Sequence, residues 1–376
     1  MTVHAIPPCN CADDTPAIVQ AIANAQAGDT ISFNAGNFTI AQNATITLKG
    51  QILYTSTLQN NQIVTFINGG AGVSQLWAIN GPATGITISN LAFSTLGAVA
   101  YTGAISIVGN TNGDTSNIVI TNCIFNSAPI LYSWLQNSQI TYNTFENIGN
   151  GSAALGGWYA NNVTFSNNLF ENNFQDISLV FGAAGLPLTN QGNNVIVSNN
   201  VGAGGTQRMA IEIQGNDPPI AGETRNLKVS GNYWTNWNNA LVADGNSEAY
   251  SIVPNGGTGT VISGNYADGT TQSGGAKAVM AMEVSGTATV QGNDLRNFGY
   301  GPWCYGVDAF TSNNLVVTNT PVVGVYSGAT CNVSGTTTSS SQAIPNPPAA
   351  GASSQASTPP TQTPPSPPSS GRHHRG

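Results

Sequence analysis

The stretch Val195-Ile-Val-Ser-Asn-Asn200 decides the fold, because the same phrase recurs along the chain. Ile86-Thr-Ile-Ser-Asn90, Ile118-Val-Ile-Thr-Asn122, Val163-Thr-Phe-Ser-Asn-Asn168 and Leu227-Lys-Val-Ser-Gly-Asn232 repeat it, with weaker copies ending at Ile262, Val290 and Val317. Each copy sets two alternating apolar residues before Ser or Thr and then Asn or Gly, the pattern of a short strand running into a sharp turn. With the second apolar residue as anchor, the series is Ile88, Ile120, Tyr142, Phe165, Val197, Val229, Ile262, Val290 and Val317, spaced by 32, 22, 23, 32, 32, 33, 28 and 27 residues. A strand-based repeat of this size marks a solenoid or a propeller. Propeller blades need roughly 40–45 residues, and leucine-rich repeats carry a Leu/Asn signature that this chain lacks. A short coil with loops of variable length fits a parallel β-helix, in which each coil stacks on the one before.

The turn residues agree. Two positions after the anchors stand Asn90, Asn122, Thr144, Asn167, Asn199, Gly231, Gly264, Gly292 and Asn319. Asn and Gly tolerate the left-handed backbone that a sharp bend between strands requires. One position later come Asn168, Asn200, Asn232, Asn265 and Asn293, on five consecutive coils. At the roughly 4.8 Å strand spacing their amides can bond to one another as an internal ladder that satisfies the turn.

Composition limits the alternatives. Only 6% of the 376 residues are charged, against about 25% in an ordinary domain. Coiled coils and Glu/Lys-laced surface helices are excluded, and the surface is made polar by neutral Asn, Thr, Ser and Gln. The net charge of −8 excludes electrostatic nucleic-acid binding, which needs a basic face. No stretch approaches the ~20 apolar residues of a membrane-spanning helix. The histidines are His4, His373 and His374, so the body has no histidine base. Cys9, Cys11, Cys123, Cys304 and Cys331 are too few and too scattered for a disulfide framework.

Residues 1–14 read as an N-terminal extension without the apolar run of a signal peptide. The β-helix domain is expected over 15–336. It opens with a capping helix at 15–28, where Pro16 sits at the first helical position and Gly28 at the C-cap. The Ser/Thr/Pro-rich residues 337–376 read as a disordered tail.

The segment Asp13-Asp14-Thr15-Pro-Ala-Ile-Val-Gln-Ala-Ile22, followed by Ala27-Gly28-Asp29-Thr30-Ile31-Ser-Phe33, resembles the opening of the pectin lyase-like superfamily. There a short amphipathic helix caps the open core of a right-handed parallel β-helix. The repeats resemble that superfamily too, over roughly residues 13–335. The resemblance implies an all-β solenoid, but it spans lyases, hydrolases, esterases, epimerases, tailspikes and adhesins. The galacturonase signatures are absent. Tyr305-Gly-Val-Asp308-Ala-Phe310 partly resembles the Tyr-Gly-Phe-Asp-Pro-His motif of alginate epimerases and related lyases, with Phe310 in place of the histidine.

Strand parity supplies candidate chemistry. Ala210-Ile-Glu212-Ile, Ala240-Leu-Val-Ala-Asp244, Ala281-Met-Glu283-Val and Gly306-Val-Asp308-Ala read as successive strands with apolar residues inward. Glu212, Asp244, Glu283 and Asp308 then form an outward row of candidate catalytic acids. Neighbouring carboxyls would fall near the ~5–5.5 Å of retaining glycosidases and alternate ones near the ~6.5–9.5 Å of inverting enzymes. The row is also able to hold Ca²⁺, or to be a solvated face without chemistry; no other cofactor is implied. Tyr132, Trp134 and Trp158 are candidate sugar platforms or core aromatics, and Tyr305 joins the candidate substrate-binding set. Arg208 and Lys277 would hold a substrate carboxylate or balance the acids.

The expected partner is a polysaccharide, met outside the cell or at its surface. Three functions follow: a two-carboxylate glycoside hydrolase, a lyase or epimerase using Tyr305 and Asp308, and a non-catalytic adhesin. With so few cations, a neutral glycan suits the hydrolase best.

Overall fold

The computed structural model describes residues 1–9, 11–41, 44–70, 73, 75–95, 103–109, 115–149, 151–181, 192–215, 226–238, 248–253, 259–272, 280–284, 287–299, 301, 303–304, 309–313, 316–320, 324–325, 330–333 and 343–352. They form a parallel β-helix with one α-helix, Thr15–Asn24, whose Ile18 and Ile22 are buried in the core. The connections are right-handed, as parallel β connections almost always are. Every strand pairing along the stack is parallel.

One coil shows the construction. Asn193–Ser198 runs into the turn Asn199-Asn200, then Val201–Gly204, then Met209–Gly215. These three strands recur on coil after coil and make three faces. The corners are left-handed residues. Asn122, Asn167 and Asn199 stand at one corner, Asn147, Asn172 and Asn236 at the second, and Asn137, Asn162, Asn194 and Asn226 at the third, all at φ between 47° and 59°. Short Asn side chains hold this conformation at little steric cost.

The expected amide ladder is present and one coil longer, starting at Asn143. Asn143, Asn168, Asn200, Asn232 and Asn265 each donate Nδ2 to Oδ1 of the next asparagine at 2.8–3.2 Å, ending on Asn293. From Asn168 on, each ladder Oδ1 also accepts the backbone N–H of the preceding asparagine, and that of Asn143 accepts the Cys123 N–H. Inside, Phe93, Phe125, Phe145 and Phe170 stack at 4.9–5.2 Å. Gly202 interrupts the file, and a Cβ there would lie 2.0 Å from the Trp234 ring, which fills the space. The Trp234 Nε1 donates to the buried Asp176 at 2.7 Å.

Two anchors are corrected. Ile140, not Tyr142, pairs with Ile120 and Phe165. Tyr142 instead occupies the left-handed corner at φ 57° and is exposed. Val317 pairs with Leu295 on the next face, while Val290 pairs with Ser312. Alternation repeats within one coil, so a short coil lets the wrong strand be taken as anchor. Residues 1–14 contribute the strand Val3–Ile6, which pairs with Thr30–Phe33 as the first rung. Of the cysteines, Cys9 pairs with Cys11, Cys304 is disulfide-bonded, and Cys123 is a buried thiol.

Candidate carbohydrate-binding groove

The third strand of each coil carries the site. Its outward positions are in register as Ser106, Leu131, Gly156, Ser178, Glu212, Ser251, Glu283 and Trp303, one per coil. Glu212 and Glu283 therefore do share one row, as parity predicts, but two rungs apart with Ser251 between them. Glu248–Val253 is the described strand of the intervening coil. Asp244, Lys277, Tyr305 and Asp308 lie outside the described residues. The described strand after Glu283 is Trp303–Cys304, which puts Trp303 in the row.

The acid that parity missed is Glu248, three residues before Ser251. It is buried, its backbone N–H bonds the Arg208 carbonyl at 2.8 Å, and its Oε2 has no hydrogen-bond partner. Burial pushes its carboxyl up to about 7, helped by the charges of Glu283 and Glu212 and opposed by a Ser251 hydrogen bond. Ser251 Oγ also donates to Glu283 Oε2 at 3.3 Å, and burial raises the Glu283 carboxyl as well. The signal in the sequence is Glu248-Ala-Tyr250-Ser-Ile252, where Tyr250 and Ile252 alternate inward. The preceding Ala240–Ala243 run alternates equally well, which hid it.

Glu212 has the opposite environment. Gln175 Nε2 and Ser178 Oγ donate to its Oε2, the latter at 2.7 Å, and Gln214 Nε2 donates to its Oε1. Arg208 Nη1 in turn donates to Gln175 Oε1 at 3.4 Å. Three donors thus converge on one carboxylate and fix its orientation. They also point hydrogens where a calcium ligand would present lone pairs, so the donor set does not fit Ca²⁺ at this carboxylate.

A cavity of about 290 Å³ opens beside Glu212, with Gly156 and Ser178 in its lining and Trp158 and Arg208 at its sides. A second of about 160 Å³, including Ser106 and Ser133, shares Leu131 and Trp158 with it. Trp158 thus stands between the two, 44% exposed. Trp134 is half-buried and stacks on Tyr159 at 3.9 Å, making a platform at the neighbouring corner. Tyr132 is a core residue: it is buried, packs on Phe165 at 5.7 Å, and burial raises its phenol strongly. Its parity is that of Ile107, inward.

A groove, paired acids and an exposed tryptophan on a parallel β-helix define the class by architecture. No sequence family model matches the chain, and no curated protein sequence matches it. Among solved structures it is similar to a mannuronic acid specific polysaccharide family 6 lyase from human gut microbiota, at TM-score 0.61 and 14% identity over 89% of this chain and 78% of that one. It is similar to PfbA, a surface adhesin of Streptococcus pneumoniae, at TM-score 0.59 and 12% identity over 89% and 92% of the two chains. The catalytic domain of a GH87 alpha-1,3-glucanase in complex with nigerose matches at TM-score 0.59 and 13% identity, over 88% and 68%. At these identities the likeness carries the fold.

Proposed function

We propose that this protein is an extracellular or surface-borne glycoside hydrolase that cleaves a neutral polysaccharide lying along the row from Ser106 to Glu283. The observation that carries the reading is the contrast between neighbouring glutamates. Burial and like charge push the Glu248 carboxyl up to about 7, whereas three hydrogen-bond donors converge on the oxygens of Glu212. A carboxyl raised in this way supplies the proton donor, and the hydrogen-bonded Glu212 supplies the base or nucleophile.

Register sets Ser251 opposite Glu212 and Glu248 opposite Met209; the Ser251 hydrogen bond and the charges of Glu283 and Glu212 are what tie the Glu248 carboxyl to the row. Glu248 would protonate the glycosidic oxygen while Glu212 attacks the anomeric carbon. Water, deprotonated by Glu248, would then release the sugar from Glu212. Trp158 offers its face to a sugar ring two rungs from Glu212.

A neutral chain suits the groove because a uronate would add a carboxylate beside Glu212, Glu248 and Glu283, and Arg208 is already engaged with Gln175 and with Glu248. The similarity to lyases, a glucanase and an adhesin is consistent with a glycan ligand. The test is a panel of neutral and acidic polysaccharides incubated with the wild type and with Glu212→Gln. Saturated reducing ends from a neutral member, lost in the variant, support the reading. An unsaturated, ultraviolet-absorbing product would make it a lyase, and binding without turnover an adhesin.

A further inference from the structure

The face made by strands such as Val201–Gly204 has an unusual exterior. Its outward positions run in register through Phe66, Ala92, Ile124, Thr144, Leu169 and Val201. Outward residues of a solenoid face normally meet solvent. Here Phe66, Ala92, Ile124, Thr144 and Val201 are each less than 10% exposed. A continuous apolar stripe of this kind marks a binding surface.

Part of its cover comes from the stretch that composition assigns to a disordered tail. Ala343–Ala352 contains Pro345, Pro347 and Pro348 and forms neither helix nor strand. Gly351 N–H donates to the Asn167 carbonyl at 2.8 Å, and Ala352 N–H donates to Thr144 Oγ1 at 3.1 Å, across 208 residues of sequence. Ala352 then packs on the cluster of Ile63, Phe66, Ala92 and Ile124. Gly351 is the close-approach point. Its φ is +85°, and a Cβ would lie 2.9 Å from Leu169 Cβ and 3.0 Å from Thr144 Oγ1.

We propose that this stripe is a docking site for an extended segment of the chain, and that Ala343–Ala352 is its ligand in cis, anchored through Gly351 and Ala352. The anchor is small: Ile344, Pro345 and Pro347 stay exposed, while the buried Gly351 and the half-buried Ala352 supply two backbone N–H donors and one methyl to the apolar stripe. From the rung of Val316 back to that of Thr144 is six rungs, along Asp294, Tyr266, Tyr233, Val201 and Leu169, about 29 Å at the strand spacing. The docked segment therefore doubles back along the stack and ties chain that follows the last coil to coils near its middle. A solenoid otherwise joins each coil only to its neighbours. Whatever follows residue 352 starts from beside the helix, on a face other than the one carrying Glu212.

Hydrogen exchange on the intact chain tests this directly. The Gly351 and Ala352 amides should exchange at least tenfold more slowly than in the free 343–352 peptide, and Gly351→Val should abolish that protection while the Asn168–Asn293 ladder amides stay protected. A chain ending at residue 336 should bind the 343–352 peptide added in trans, and bind the Gly351→Val peptide at least tenfold more weakly. Free-peptide exchange rates at both amides in the intact protein overturn the proposal. So does equal binding of the two peptides, and protection that depends on protein concentration would show a second copy to be the occupant.

Discussion

Glu248→Gln should stabilise the protein, and by an amount that depends on pH. The carboxyl titrates at about 7 in the folded chain and at the ordinary 4.5 when unfolded, because folding buries it beside Glu283 and Glu212. Below about pH 4.5 both states are protonated and the shift has no effect on stability. Between about 4.5 and 7 the native state binds the extra proton, so stability falls as pH rises through that window. Above 7 the native chain must carry the charge in a site that disfavours it. A shift of about 2.5 units corresponds to about 3 kcal/mol. Gln keeps the shape and removes the ionisation. The variant should match the wild type near pH 4 and exceed it by about 3 kcal/mol above pH 7.5, read as thermal or urea unfolding across that range. Hydrolysis should fall by about 10²–10⁴ in the same variant. A stability difference that is flat with pH, or a variant less stable at alkaline pH, would refute the assigned environment.

Asn200→Ala removes two acceptor and two donor bonds from the ladder and strands the Phe165 carbonyl and the Asn168 N–H in the core. With about 1–3 kcal/mol for each buried group left unpaired, a loss of about 3–5 kcal/mol in unfolding free energy is expected, and more than for Asn293→Ala at the ladder's end. Gly202→Ala drives a methyl into the Trp234 indole and displaces its bond to Asp176; a fall of about 2–4 kcal/mol with altered tryptophan fluorescence should follow. Trp158→Ala, exposed in the groove, should leave the melting temperature within about 2 °C and weaken oligosaccharide binding by about tenfold, measured by calorimetry.

The sequence revealed the fold through its corners. Three tight bends per coil demand left-handed residues, and Asn or Gly at fixed register is the visible trace, with Asn168 to Asn293 also filling the interior. The site was harder to see. Glu212 and Glu283 followed from parity alone, because flanking Ile211, Ile213 and Met282 can only point inward. Glu248 did not, since choosing Glu248–Val253 over Ala240–Ala243 requires knowing where the preceding loop ends. Tyr132 and Trp158 are both aromatics on this strand, and only register against Ile107 and Ser133 sends one in and the other out. The docking of Ala343–Ala352 left no periodic signal, because one glycine at a close contact and a few prolines have the composition of any linker.

The stereochemistry of the first product is the most direct test of the paired glutamates. Proton NMR of a neutral polysaccharide digest, followed from the start of the reaction, should show the new reducing end in the same anomeric configuration as the cleaved bond, and no such signal with Glu212→Gln. An inverted anomer, or an unchanged rate in that variant, would contradict the assignment of Glu212 as nucleophile and Glu248 as acid.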